Sequence, residues 1–290
     1  MEAIKCLVKI VKLFLAKEYT DLRDIENSYS RVSKRYNDVF LKEMDKYNKE
    51  MLEKLIIKYI DNNFNGKPKI LDLACGTGFN SSFISTKLSN SSFTLVDISN
   101  GMLKEAKNCC KFKGKFVKSD MLSYLKKCPD NSFDIVICGW AIKYQNPYQI
   151  IKEVSRVLKK DGYFAVIVNL KGTLPEFRRI YPKLILKNYK IINKLMREIP
   201  NPVNKFSFAR WFKKKKFSVV DLKSGVHIFN FNDADSLVNF VTSTGALAGF
   251  DTMVDMYSDD VKRSMINLFN KKGINTITHK YVWRIFKNNK

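Results

Sequence analysis

The sequence predicts an α/β fold: a mainly parallel sheet with helices on both faces and a helical lid. Three observations carry that expectation. Short apolar runs alternate with amphipathic stretches through the middle of the 290-residue chain, the pattern left by strands that cross over through helices. One run, ILDLACGTG at residues 70–78, ends in a glycine-containing turn that opens a helix. A second, LVDIS, ends on a carboxylate, Asp97.

The elements follow in order. Ile4, Leu7, Val8, Val11 and Leu15 fall at helical spacing beside Lys5, Lys9, Lys12 and Lys17, so residues 3–17 are expected to form a basic amphipathic helix. Three partners suit its stripe: the lid, a second subunit of a homo-oligomer, or a membrane surface touched peripherally. Asp21 to Asn63 reads as helical. Strands are expected at 69–74, 93–97, 115–118, 133–138 and 163–169, with helices between them. A helical insertion rich in Arg, Lys, Tyr and Leu follows at about 172–203, then a helix at 205–216 and a strand near 217–223. A second helical insertion fills about 233–270, and a last strand covers 275–286, where the alternation of polar and apolar residues only partly supports an edge strand. The chain thus divides into 1–66, a helical cap; 67–170, the core; 171–216, a lid insertion; and 217–290, the last strands with the second insertion. No Pro-, Gly- or Ser-rich linker separates these stretches, so one domain with elaborations is expected.

Composition excludes several classes. Six cysteines without C-x-x-C spacing, beside only two histidines, fit neither a zinc site nor a secreted disulfide framework. No metal is expected, and the compartment is expected to be reducing and cytoplasmic. No apolar run approaches the roughly 20 residues that cross a bilayer, and Glu2 with the interspersed lysines argues against a cleaved secretory signal. The 52 Lys and Arg against 28 Asp and Glu leave a net charge of +24. That balance suits nucleic acid, anionic membrane or an acidic protein as partner, and part of it reflects a Lys- and Asn-rich composition.

The glycine turn carries the chemistry. Gly76 and Gly78 lack a Cβ, which lets backbone approach a ligand closely, and Asp97, 19 residues after Gly78, suits a ribose diol. Together they point to an adenosine-containing cofactor. The spacing Ala74, Gly76, Gly78 departs from G-x-G-x-x-G, and Asp72 lies in the turn region. A carboxylate there repels a pyrophosphate but suits the ammonium of a methionine moiety. Asp97 also reads as the cap of the helix that follows.

Five segments then stand in register: DLACGTGF, DISNGML, SDM at 119–121, FDIVICGWAIKY from Phe133 and EVSRVLKKDGYF from Glu153. Between about residues 67 and 170 they resemble the class I S-adenosylmethionine-dependent methyltransferases that act on small molecules, the methyltransferase type 11 and malonyl carrier-protein group. Two departures are Ala74, where the family's motif begins with glycine, and Leu158 to Gly162, where its turn carries proline. The resemblance implies a Rossmann-like seven-stranded sheet whose final strand enters antiparallel beside the sixth. It implies S-adenosyl-L-methionine held by Asp72, Ala74, Gly76, Gly78, Asp97, Ile98, Met102, Asp120, Met121 and Cys138. In the family the residue at Asp120 meets the adenine amino group; a helix cap is the other reading. YSRVSKRYNDVF, residues 29–40, resembles the family's cap, so Tyr29 and Tyr36 are either contacts or packing residues. Lid segments and Trp140 with Tyr144 are expected to line the acceptor pocket.

Residues 224–286 resemble, more loosely, the malonyl carrier-protein ester enzymes and related natural-product methyltransferases. That implies a small acceptor, free or on an acidic carrier protein, methylated at oxygen, carbon or nitrogen by in-line transfer. Neither N/D-P-P-Y/F nor a Pro-Cys loop follows the fourth strand, so nucleic acid is disfavoured. An RNA or protein methyltransferase and a non-catalytic cofactor-binding regulator stand as alternatives. Relatives often carry histidine just after that strand; here the residues are Ala141, Ile142, Lys143 and Tyr144. Lys143 reads as a solvated helix lysine or as a group that orients an anionic acceptor. His227 and His279 are the histidine base candidates, with His279 on an expected strand and more suited to packing.

Overall fold

A computed structural model describes residues 1–62, 67–197, 199–213 and 216–290. Seven strands form one sheet in the order β3-β2-β1-β4-β5-β7-β6: β1 Lys69–Leu73, β2 Ser92–Asp97, β3 Gly114–Lys118, β4 Phe133–Gly139, β5 Leu158–Asn169, β6 Phe217–Asn230 and β7 Thr276–Asn288. The pairs β1 with β2, β1 with β4, β2 with β3 and β4 with β5 are parallel, and β7 enters antiparallel beside β5. This is the expected Rossmann-like sheet. β1 and β4 bury nearly every side chain because both of their faces are covered, which is why their sequences are continuous apolar runs and not alternations.

The chain forms two compact units. One comprises residues 41–171, 200–225 and 280–290; the other comprises 1–40, 172–199 and 226–279. In the first, α3 (Lys42–Asp61), α4 (Phe79–Ser85), α5 (Asn100–Cys109), α6 (Met121–Lys127) and α7 (Pro147–Val157) accompany the parallel strands. Their starts are set locally. Ser99, Asp120 and Asn146 each accept backbone N–H groups of the following turn, and Pro147 occupies the first turn of α7, where no N–H is needed. Phe208 and Phe212 sit in the core with Phe164 and Phe286, Phe212 stacked on Phe286 at 3.8 Å between centroids.

The second unit holds α1 (Glu2–Leu15), α2 (Leu22–Tyr36), α8 (Pro175–Asn188), α10 (Ala234–Ser243) and α11 (Asp259–Lys271). Glu176 accepts from both the backbone and the hydroxyl of Thr278, and Tyr181 donates to the Phe250 carbonyl at 3.0 Å. The six-residue α9 (Lys205–Arg210) belongs to the first unit. A π-helical segment, Asn37–Leu41, joins α2 to α3.

Several expectations change. Among its described residues, the 172–203 insertion is helical only through α8 and a 3-10 turn at Tyr189–Ile191. The helix expected over 205–216 ends at Arg210; residues 214 and 215 lie outside the described residues, as do Asn63 and the expected 66/67 boundary. The 233–270 insertion is two helices with turns between them, because Gly245 and Gly249 take positive φ. Tyr29 abuts Gly245 so closely that a Cβ there would lie 2.7 Å from its ring. β5 starts five residues early: Leu158 already pairs with Phe133, and the register slips before Ile135 meets Tyr163. Gly162 permits this, since its Cβ would stand 2.9 Å from the Asp134 carbonyl. β7 is not an edge strand. It lies between β5 and β6 and is buried along most of its length, while β6 is largely exposed.

Candidate functional site

The site is built at the C-terminal ends of β1, β2 and β4, where open α/β sheets bind their ligands. After β1 the chain turns through Ala74, Gly76 and Gly78, all at positive φ (53°, 56° and 81°). Gly78 has no room for a side chain, since a Cβ would lie 2.5 Å from Cys110 Sγ; at Gly76 a Cβ would meet nothing within 4 Å. That open space beside backbone is the cradle a ligand requires. Ala74 stands where L-residues pay about 1–2 kcal/mol, against roughly 0.5–1 kcal/mol for the extra chain entropy of glycine. Ala74→Gly is therefore expected to stabilise the protein by about 0.5–1 kcal/mol in chemical denaturation. A destabilised variant would show that the turn is not strained there.

Asp97 ends β2 and ties the turn together. Its Oδ2 accepts the Gly76 N–H at 2.8 Å and its Oδ1 accepts the Ser99 N–H at 2.8 Å. The cap of α5 is Ser99, which accepts the Met102 N–H, so Asp97 is not the helix cap.

Asp72 is fully buried. Ser81 Oγ donates to its Oδ2 at 2.7 Å, while Oδ1 has no hydrogen-bond partner among the described residues. Burial raises its carboxyl to about 7, against the hydrogen bonds from Ser81 and with help from Asp97. An orphaned buried carboxylate oxygen beside an open glycine cradle fits a ligand that brings a cationic donor. The sign of the consequence is fixed by linkage. With its folded pKa above the usual value of about 4, Asp72 holds its proton better folded than unfolded, so its stabilisation is complete below pH 4 and lost as pH rises to 7. Between pH 4 and 7 the ligand-free protein should therefore lose stability more steeply than Asp72→Asn, measured by denaturation at several pH values. Identical slopes would count against this assignment.

Around β4 the structure joins Trp140, expected at the acceptor pocket, to two asparagines. Trp140, at φ 62°, donates from Nε1 to Asn48 Oδ1 at 2.9 Å, and Asn48 Nδ2 donates to Asn80 Oδ1 at 2.8 Å. A Cβ on Gly139 would fall 2.9 Å from Asn80 Nδ2, so glycine is needed where the network passes. Trp140 packs edge-on to Tyr281. Asn80 and Ser81 had a sequence cue, being polar residues in the first turn after the glycines; Asn48, on α3, had none.

The other expected contacts divide. Ile98 is half-buried and Met102 is buried in α5. Cys138 Sγ lies 3.8 Å from Met121 Sδ, and burial pushes its thiol up to about 12, away from thiolate reactivity. Asp120 caps α6 through the Ser123 N–H and accepts from Gln145 Nε2 at 2.7 Å. Burial alone would raise its carboxyl, but these hydrogen bonds outweigh it and hold the pKa below the ordinary value.

Lys143 is not a solvated lysine. It sits in the 3-10 turn Ile142–Tyr144 directly after β4 at 6% exposure, its ammonium 5.2 Å from the Tyr144 ring centroid. Burial alone pulls it down to about 7. The histidines belong to the second unit. His227 lies half-buried on β6 against Phe229 at 4.4 Å, and His279 is buried on β7 near Phe40 and Phe229. Tyr29 and Tyr36, also in that unit, meet edge to face at 6.3 Å, and Tyr36 continues onto Phe40. Their rings pack within their own unit. Among the described residues no group of His, Cys, Asp and Glu has the arrangement of a metal site.

Comparison with known proteins agrees with this geometry. Residues 71–166 match the methyltransferase domain family. A demethylmenaquinone methyltransferase of Leptospira interrogans is 32% identical over 154 residues, covering 48% of this chain and 58% of that protein. A malonyl-[acyl-carrier protein] O-methyltransferase of Priestia megaterium is 29% identical over 161 residues, 52% of this chain and 55% of that protein. The matched stretches thus span little more than half the length of these relatives. In fold, the YcgJ protein of Bacillus subtilis superposes with a TM-score of 0.55 at 17% identity, covering 83% of this chain and 99% of that one.

Proposed function

Because residues 71–166 match the methyltransferase domain family, we propose that the chain is a class I S-adenosylmethionine-dependent methyltransferase acting on a small or carrier-bound acceptor. The observation that carries this reading is the pairing of the open Gly76 cradle and Asp97 with the orphaned carboxylate of Asp72. Asp97 would hold the ribose diol, and Asp72 the ammonium of the methionine end. When bound, the sulfonium supplies an electrophilic methyl group to an in-line nucleophile. The rest of the task is alignment and exclusion of water.

Trp140, fixed by Asn48 and Asn80, walls the site at the end of β4. Lys143, one turn further, is the proton acceptor for a neutral hydroxyl or amine, since near neutral pH it is substantially an amine. This replaces histidine, which the sequence lacks after β4. The Leptospira and Priestia relatives are named for a quinone precursor and a carrier-bound acid, so acids, phenols, quinols and carrier-bound acyl groups are the acceptor classes to try first. A screen of those classes with methyl-labelled cofactor and product detection tests the reading. Label in a small or carrier-bound product supports it; label only in RNA or protein, or cofactor binding without transfer to anything, contradicts it.

A further inference from the structure

α1 carries two apolar stripes where a packed surface helix needs one. At 100° per residue, Cys6, Ile10 and Leu13 share one face; Cys6 is buried and Ile10 and Leu13 are half-buried, as is Lys9 at the edge of that face. Ile4, Leu7, Val8, Val11, Phe14 and Leu15 form a second arc, and all six are exposed, Leu7 at 61% and Leu15 at 73%. The helix is no loose tail. The Glu18 N–H bonds the Leu13 carbonyl, Leu195 donates to the Glu18 carbonyl at 2.8 Å, and Thr20 donates to the Leu195 carbonyl at 2.9 Å. Phe14 also meets Tyr19 edge to face. The outward stripe is therefore held outward by an anchored helix.

Charge decides what covers it. Lys5, Lys9 and Lys12 recur at i, i+4 and i+7 along the border of the exposed arc, while Glu2 lies on the far side of the lysine row and no acidic residue falls within the arc. α1 packs against the 3-10 turn Tyr189–Ile191, which adds exposed Ile191 and Lys190 to the surface of the same unit. An apolar stripe bordered by lysines on a protein of net charge +24 matches the interfacial helices that lie on anionic lipid, with hydrocarbon taking the stripe and phosphates the ammonium groups. We propose that the outward face of α1 docks this protein on an anionic bilayer surface, without crossing it. No helix among the described residues is long and apolar enough to do so. The proposal stands apart from the methyltransferase reading.

Sedimentation of the full chain with vesicles tests it. At low salt the protein should pellet with vesicles containing one third phosphatidylglycerol and stay in solution with phosphatidylcholine alone. Lys5→Gln with Lys12→Gln should cut partitioning about thirtyfold, from ~1 kcal/mol per lysine at an anionic surface. Leu7→Asp with Val11→Asp should abolish it, and since all four side chains are exposed, both variants should melt at the wild-type temperature. Failure to pellet with either vesicle, equal pelleting with both, or retained binding by the Leu7 and Val11 variant overturns the proposal. So does a dimer in analytical ultracentrifugation that the same variant dissociates while vesicles are ignored, which would make a second copy the occupant.

Discussion

Asp97→Ala should weaken binding of S-adenosylmethionine and S-adenosylhomocysteine by about 2–3 kcal/mol, on the order of 30- to 160-fold, the range for removing a charged hydrogen-bond partner. Two losses act together. The ribose hydroxyls lose their acceptor, and the N–H groups of Gly76 and Ser99 lose the carboxylate that holds the turn. Asp97→Asn separates the two, since the amide oxygen still accepts one of those N–H groups while the negative charge is gone. It should fall between the wild type and Asp97→Ala. Calorimetry showing wild-type affinity in a folded Asp97→Ala protein would remove the assignment.

Lys143→Met should lower turnover about a hundredfold or more with an acceptor that must lose a proton, the usual contribution of a positioned base, and should leave S-adenosylhomocysteine affinity unchanged. Lys143→Arg should not rescue it, because a guanidinium does not deprotonate. In the wild type, kcat/KM should rise through an apparent pKa near 7, and that limb should vanish in Lys143→Met. A stability readout accompanies it. The folded pKa lies below the unfolded value of about 10.4, so between pH 7 and 10 the unfolded chain binds more protons and stability rises with pH. Lys143→Met should flatten that rise. Unchanged turnover and slope would return Lys143 to a packing role.

What the sequence discloses is the local part of this account. The turn after β1 and the carboxylate ending β2 are visible because glycine freedom and strand ends are written in adjacent residues. The parallel core is visible because strands covered on both faces must be apolar throughout. What stays hidden depends on contacts far apart in the chain. Asn48 joins Trp140 across 92 positions, and nothing near it in sequence marks that role. Burial of Lys143 arises from the packing around the turn after β4, so a lysine that reads as solvated is buried and its pKa is pulled down to about 7. β7 reads as a partial edge because its polar residues Thr276, Thr278 and Arg284 find partners or cover inside the fold, Arg284 on the Lys205 carbonyl. Tyr29 and Tyr36 read as contacts or as packing because a seven-residue spacing serves both equally; in the fold their rings meet each other and Phe40.

We propose the turn from Ala74 to Gly78, with Asp72 and Asp97, as an S-adenosylmethionine site. Calorimetric titration of the full chain with S-adenosylhomocysteine, repeated with a nicotinamide dinucleotide, tests it most directly. The expected result is saturable one-to-one binding of S-adenosylhomocysteine that Asp97→Ala weakens, and no heat from the dinucleotide. A folded protein that ignores S-adenosylhomocysteine, or that takes the dinucleotide in its place, would contradict it.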